Sequence, residues 1–233
     1  MIAASGPLLL LWDIDGTLLL RATGEHAAAL RRAAEAVHGV ALDGLAVEAA
    51  GRTDAAIARD LLRAAGVGDA AIDAHAARVA AAAVEAYAEL CPPDLSAYVA
   101  PGVPEALDAL AGDPVTYRQA LVTGNLEPIA RRKLASAGLG HHFPLGQGGF
   151  GSDAEERAEL PAVARARAGG WARERTVVIG DTPRDIACAR ADGVRVIAVA
   201  TGPFSAEALA DADAVVDGAR AVLPVLADWA ARD

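Results

Sequence analysis

Five consecutive apolar residues, Leu8–Trp12, stop abruptly at an aspartate. An unbroken run this short predicts a strand buried on both faces. Three further strand candidates follow, at residues 119–122, 176–179 and 194–199, with a fainter one at 214–216. Between them the pattern is helical, over residues 104–110, 127–137, 155–168, 183–191 and 219–231. Strand and helix in alternation predict a parallel sheet with helices on both faces, an α/β fold.

The interval from Thr17 to Val99 breaks this rhythm. It holds three helical patterns, roughly 25–37, 54–65 and 70–90, and no convincing strand. The last is so rich in alanine that propensity alone favours helix, and Pro92-Pro93 stops it. Pro101-Gly102 marks the return to the sheet. Residues 20–97 are therefore expected to form an all-helical inserted domain, with 1–19 and 98–233 making up the sheet domain.

A length of 233 residues fits this one-plus-insert organisation. Aromatic residues are only 4 %, so the core must be aliphatic. With 21 basic against 31 acidic residues the net charge is −10, which disfavours partners that are nucleic acids or anionic membranes. No apolar run approaches the roughly 20 residues of a membrane span, and no basic segment precedes the first apolar run as in a signal peptide. Cys91 and Cys188 lie far apart without metal-site spacing, which suits a reducing cytoplasm.

Three junctions carry candidate chemistry. Asp13-Ile14-Asp15-Gly16-Thr17 follows the first strand; residues two apart in extended chain face the same way, so two carboxylates share one side there. The carboxyl ends of parallel strands are where open α/β sheets hold ligands. Gly180-Asp181-Thr182-Pro183-Arg184-Asp185 follows the 176–179 strand. Helix capping accounts for Thr182 and Pro183 and can account for Asp185 but leaves Asp181 unexplained, and Mg²⁺, a hard cation, fits that gap. Thr123-Gly124-Asn125, after the second strand of the sheet, offers a hydroxyl and backbone N–H groups to an anion.

In this order the three motifs resemble those of the haloacid dehalogenase-like (HAD) hydrolase superfamily, over nearly the whole chain. The helical insert is similar to the cap of the phosphoglycolate phosphatase and β-phosphoglucomutase branch. The resemblance implies a Rossmann-like core with a helical cap domain, and a Mg²⁺-dependent phosphatase acting on a small phosphorylated metabolite. It makes Asp13 the nucleophile and Asp15 the general acid/base, whose carbonyl also binds metal. Thr123 would hold the phosphoryl group, with Gly124, Asn125 and Thr17 beside it; Asp181 would bind Mg²⁺ and Asp185 would anchor its water shell.

The family's lysine between the second and third motifs is missing. The only lysine, Lys133, falls a full strand early and is expected to be a solvated helix charge. Arg157 stands where the lysine belongs and is the expected substitute, with Arg165 as runner-up. In the insert, Arg52 is expected to read the substrate. His26 occupies the region of a cap histidine in β-phosphoglucomutase-like proteins, although the residues before it depart from their pattern. His141-His142 is expected to be a plain loop pair. Three rivals to the phosphatase are a dehalogenase, which needs neither Asp15 nor Asp181, a phosphosugar mutase, and a catalytically silent binding protein on the same scaffold.

Overall fold

The computed structural model describes residues 6–232. Strand β1 (Leu8–Trp12) lies inside a six-stranded sheet. It pairs in parallel with β2 (Tyr117–Thr123) on one side and β4 (Thr176–Gly180) on the other, with Leu10 opposite Gln119 and Val177. Beyond β2 lies β3 (Gly149–Phe150); beyond β4 lie β5 (Arg195–Val199) and β6 (Ala214–Val216). Every pairing is parallel.

Alternate residues of β1 serve two different cores, as the period of a strand requires. Leu8, Leu10 and Trp12 pack with α4 (Val103–Ala111), α5 (Glu127–Ser136) and α8 (Val222–Arg232). Leu9 and Leu11 pack with α6 (Leu160–Arg167) and α7 (Pro183–Asp192). With both faces covered, β1 can be continuously apolar.

Between β1 and β2 stand α1 (Gly24–His38), α2 (Asp54–Ala64) and α3 (Asp69–Leu90). They bury a separate aliphatic cluster around Leu30, Leu61, Val79 and Ala83, which extends to Leu126 and Ile129 at the start of α5. The two connections to the sheet layer run side by side: Leu20 N–H donates to Tyr98 O at 2.7 Å and Ala100 N–H to Leu18 O at 3.0 Å.

Two elements differ from expectation. β3 has no sequence signal, since Gly149 and Phe150 form no apolar run; Gly149 is needed because a Cβ there would overlap the Leu160 backbone. The helix expected from 155 begins instead as a 3-10 turn, Arg157–Glu159, before α6, whose Pro161 occupies its first turn. That turn sets where Arg157 points.

Candidate active site

The ends of β1, β2 and β4 converge on one cavity of about 680 Å³, roofed by the helical insert. Asp13, fixed by its N–H to Ile179 O at 2.8 Å, is 3 % exposed. Gly16 turns the chain with φ of +92°, a conformation that favours glycine. Any Cβ at Gly16 or Gly202 would overlap the Asp181 carboxylate, so two glycines make the slot that carboxylate fills. Thr17 Oγ1 donates to Asp181 Oδ1 at 3.1 Å.

Asp13, Asp181 and Asp185 are buried with carboxylate oxygens within 4.8 Å of one another. Among the described residues one cation, Arg157, forms ion pairs within this group: its Nη2 lies 3.2 Å from Asp13 Oδ1 and also bonds Asp185 Oδ1. The other Asp185 oxygen accepts from Thr182 N–H at 3.0 Å and Thr182 Oγ1 at 2.7 Å, completing a capping box on α7. Burial, only partly offset by Arg157 and reinforced by Asp185 and Asp15, pushes the Asp13 carboxyl up to about 7. Burial with the neighbouring Asp13 and Asp185 pushes Asp181 up to about 8. Three buried carboxylates share one guanidinium, so the group is short of positive charge, and its all-oxygen donors suit a hard divalent cation.

Asp15 is in the opposite condition, because of a residue placed elsewhere by sequence. Lys133 is not a solvated helix charge. It is fully buried, with Nζ 2.8 and 2.7 Å from the two Asp15 oxygens. Burial works against the Asp15 carboxylate, but Lys133, with His26 and Asn125, outweighs it and holds its pKa below the usual value. The signal was present in the sequence: Ile129, Ala130, Lys133 and Leu134 share the buried face of α5, so the lysine sits on an apolar stripe of helical period.

The chain of contacts continues into the insert. Lys133 Nζ is 3.1 Å from His26 Nδ1, and His26 Nε2 is 2.9 Å from Asp54 Oδ2. That Asp54 oxygen also accepts from Leu126 N–H at 2.8 Å. His26 thus meets the site through Lys133, despite the altered residues before it.

Thr123 is fully buried at the end of β2, and its hydroxyl oxygen accepts weakly from Asn125 N–H at 3.4 Å. Asn125 donates its amide to Asp15 Oδ2 at 2.9 Å, leaving its Oδ1 buried without a partner among the described residues. Gly124 lies against the insert: a Cβ there would overlap the Arg52 carbonyl, and its own carbonyl accepts from Asp54 N–H at 2.8 Å. Arg52 lines the cavity, but its guanidinium bonds Asp60 and the Ala56 carbonyl. Arg165 does not approach the site and is not a free surface charge; it holds Asp192 with two bonds of 2.7 Å. The His141-His142 pair has a third neighbour after all, with His142 Nε2 3.5 Å from Asp108 Oδ1.

Comparison with known proteins identifies the family and the fold. A family model described as haloacid dehalogenase-like hydrolase matches residues 10–190, and a HAD-hydrolase-like model matches 156–229. None of the curated proteins matches the chain. Among solved structures, a β-phosphoglucomutase from Clostridium difficile is similar at a TM-score of 0.70 and 15 % identity, covering 97 % of this chain and 98 % of that one. A predicted phosphoglycolate phosphatase from Haemophilus somnus 129pt gives 0.64 and 20 %, covering 95 % and 98 %. A hydrolase from Pseudomonas syringae gives 0.65 and 17 %, covering 94 % and 97 %. At these identities the likeness is one of fold: a Rossmann-like parallel sheet with a helical cap. No helix among the described residues is long and apolar enough to cross a membrane.

Proposed function

The chain belongs to the haloacid dehalogenase-like hydrolase family, and on that footing we propose that it is a cytoplasmic, Mg²⁺-dependent phosphatase that hydrolyses an organic phosphomonoester through an aspartyl-phosphate. The single observation that carries this reading is the shortage of positive charge among Asp13, Asp181 and Asp185. A site built to hold three buried carboxylates around one guanidinium suits a metal ion and a phosphate, not a halide. A dehalogenase has no use for Asp181.

Asp13 Oδ is the attacking atom. A bond forms from it to phosphorus as the bond from phosphorus to the leaving oxygen breaks. Arg157, already 3.2 Å from Asp13, neutralises the charge carried across, and Thr123 and the N–H groups after it orient the phosphoryl oxygens. Asp181, Asp13 and the Asp15 carbonyl would hold Mg²⁺, with Asp185 fixing its water shell; the ion supplies charge neutralisation for carboxylates and phosphate together.

Asp15 moves the proton. It protonates the leaving oxygen, then takes a proton from the water that attacks the aspartyl-phosphate and frees Asp13. Lys133 keeps it ionised in the free site, which is the form the second half needs. The arriving phosphate dianion raises its proton affinity, so that Asp15 takes up from solvent the proton it then passes to the leaving oxygen, and is left as the carboxylate that the second half needs. The test is phosphate release from a panel of phosphomonoesters, with phosphoglycolate and hexose phosphates included, in Mg²⁺ and in excess chelator. Acid quenching should trap label on Asp13. Full activity in chelator, or turnover with Asn confirmed at position 13, overturns the proposal.

A further inference from the structure

The cavity is far larger than a phosphoryl group needs, and its two ends differ in chemistry. The polar end holds Asp13, Asp15, Thr123, Asn125, Arg157 and Asp181. The end under the cap is aliphatic, lined by Leu20, Leu30, Leu45, Val47, Ile57 and Leu61. Leu45 and Val47 belong to the stretch between α1 and α2, and with Leu20 and Ile57 they are only partly buried. Part of their apolar surface therefore remains open.

The polar side chains near that end are already committed. Arg31 donates to the carbonyls of Leu42 and Leu45. Arg52 is bound to Asp60 and Ala56 O. His26 is held between Asp54 and Lys133. Arg21, exposed and without an ion pair or hydrogen bond among the described residues, is the charged side chain left uncommitted.

A sugar presents several hydroxyl groups, each needing a partner when buried. The cap end offers few. A two-carbon acid would leave most of the volume unfilled. A cavity of about 680 Å³ is of the size that encloses a drug-sized ligand, and such sites are mostly apolar with a few fixed polar groups.

We infer that the substrate is a phosphomonoester of an alcohol with a sizeable apolar body, its phosphate at Asp13 and its hydrocarbon against Leu45, Val47 and Ile57. The inference rests on the phosphatase reading for the chemistry and on the cap lining for the body. The cap selects by desolvating hydrocarbon, and the hydroxyl-rich esters of the same phosphate are the poor substrates.

The experiment uses primary alkyl phosphates from ethyl to octyl, whose leaving groups have nearly equal acidity, beside glucose 6-phosphate and phosphoglycolate. With Mg²⁺ present, kcat/KM should rise along the series by up to about fourfold for each methylene that is fully buried, and exceed the value for both natural-type small esters by tenfold or more. Val47→Asn should lower the octyl-to-ethyl ratio. A flat series, or a faster reaction with glucose 6-phosphate or phosphoglycolate than with octyl phosphate, overturns the inference while leaving the phosphatase reading intact. Alkylphosphonates, which bind but do not turn over, separate the converse case. Affinity rising with chain length, without hydrolysis of any ester, would overturn the phosphatase reading and keep the apolar site.

Discussion

Replacing Lys133 by methionine is the sharpest perturbation available, because it keeps most of the apolar stem and removes the ammonium group. Lys133 is fully buried and holds both oxygens of Asp15. Stripping a buried carboxylate of its cation costs roughly 3–5 kcal/mol. The Asp15 side chain keeps 19 % exposure toward the cavity, which places the cost near the lower end, about 3 kcal/mol. For a chain of this size that is about 6–12 °C in Tm. The sign of the pH dependence follows from Asp15, whose pKa is held below its ordinary value of 3.8. Its stabilising contribution is complete above that value and is lost as pH falls through the lower folded one. In the variant, burial without the ammonium raises the Asp15 pKa instead, and the resulting penalty grows with pH. The deficit should therefore be largest near pH 7.5 and shrink toward pH 4.5. In an Asp15→Asn background Lys133→Met should cost little or even stabilise, since no carboxylate is abandoned and an unpaired buried ammonium is removed. Melts of the four proteins at three pH values measure the coupling. Additive effects, or a deficit that does not change with pH, would falsify the assignment of Lys133 as the counter-charge of ionised Asp15.

Asp13→Asn should abolish turnover and leave no acid-stable phosphoenzyme, yet its metal-free Tm should match or exceed the parent's, because one of three crowded carboxylates is gone; a folded variant of parental rate would exclude Asp13 as nucleophile. Asp13 and Asp181 bind protons more tightly in the folded state, at about 7 and about 8, so metal-free protein should lose stability as pH rises from about 4 toward 8. Mg²⁺ should then raise Tm more at pH 8 than at pH 6, and equal increments at both would contradict the shared carboxylate site. Arg157→Ala should lower kcat by about 10²–10³-fold, the scale for losing a preorganised electrostatic group, with Arg157→Lys recovering part; unchanged kcat/KM would remove Arg157 from the chemistry. Arg165→Ala should cost roughly 2 kcal/mol in a denaturant melt, less than full stripping of a buried carboxylate because Arg173 remains beside Asp192, while the kinetics stay parental.

The sheet was legible because β1, β4 and β5 are short apolar runs ending in turn residues, and the three cap helices announced themselves by composition and spacing. Asp13, Asp15, Asp181 and Arg157 could be located because each sits at a fixed distance from an element boundary. Lys133 and Asp54 could not be found that way. Their partners Asp15 and His26 lie 118 and 28 residues distant, so the pairings depend on how separate elements pack within the sheet layer and within the insert, which local pattern does not encode. Charge alone misled at Lys133, where an isolated basic residue on a helix was expected to face water. The burial of Lys133 was written in its helical register, beside Ile129, Ala130 and Leu134, not in its charge.

Gly124 joins two events that are usually considered apart. Its carbonyl accepts from Asp54 of the cap, and any side chain at this position would collide with the Arg52 backbone, while Thr123 and Asn125 on either side line the polar end of the cavity. In the proposed phosphatase one peptide segment would therefore register both cap docking and anion seating. Thermodynamic reciprocity follows: if a seated phosphate favours the docked cap by some factor, a docked cap favours the phosphate by that same factor. The remote body of a ligand then contributes more than occupancy. If the proposed substrate is right, contacts made beneath α2 should tighten the arrangement around phosphorus, and its hydrocarbon should be felt in kcat as well as in KM.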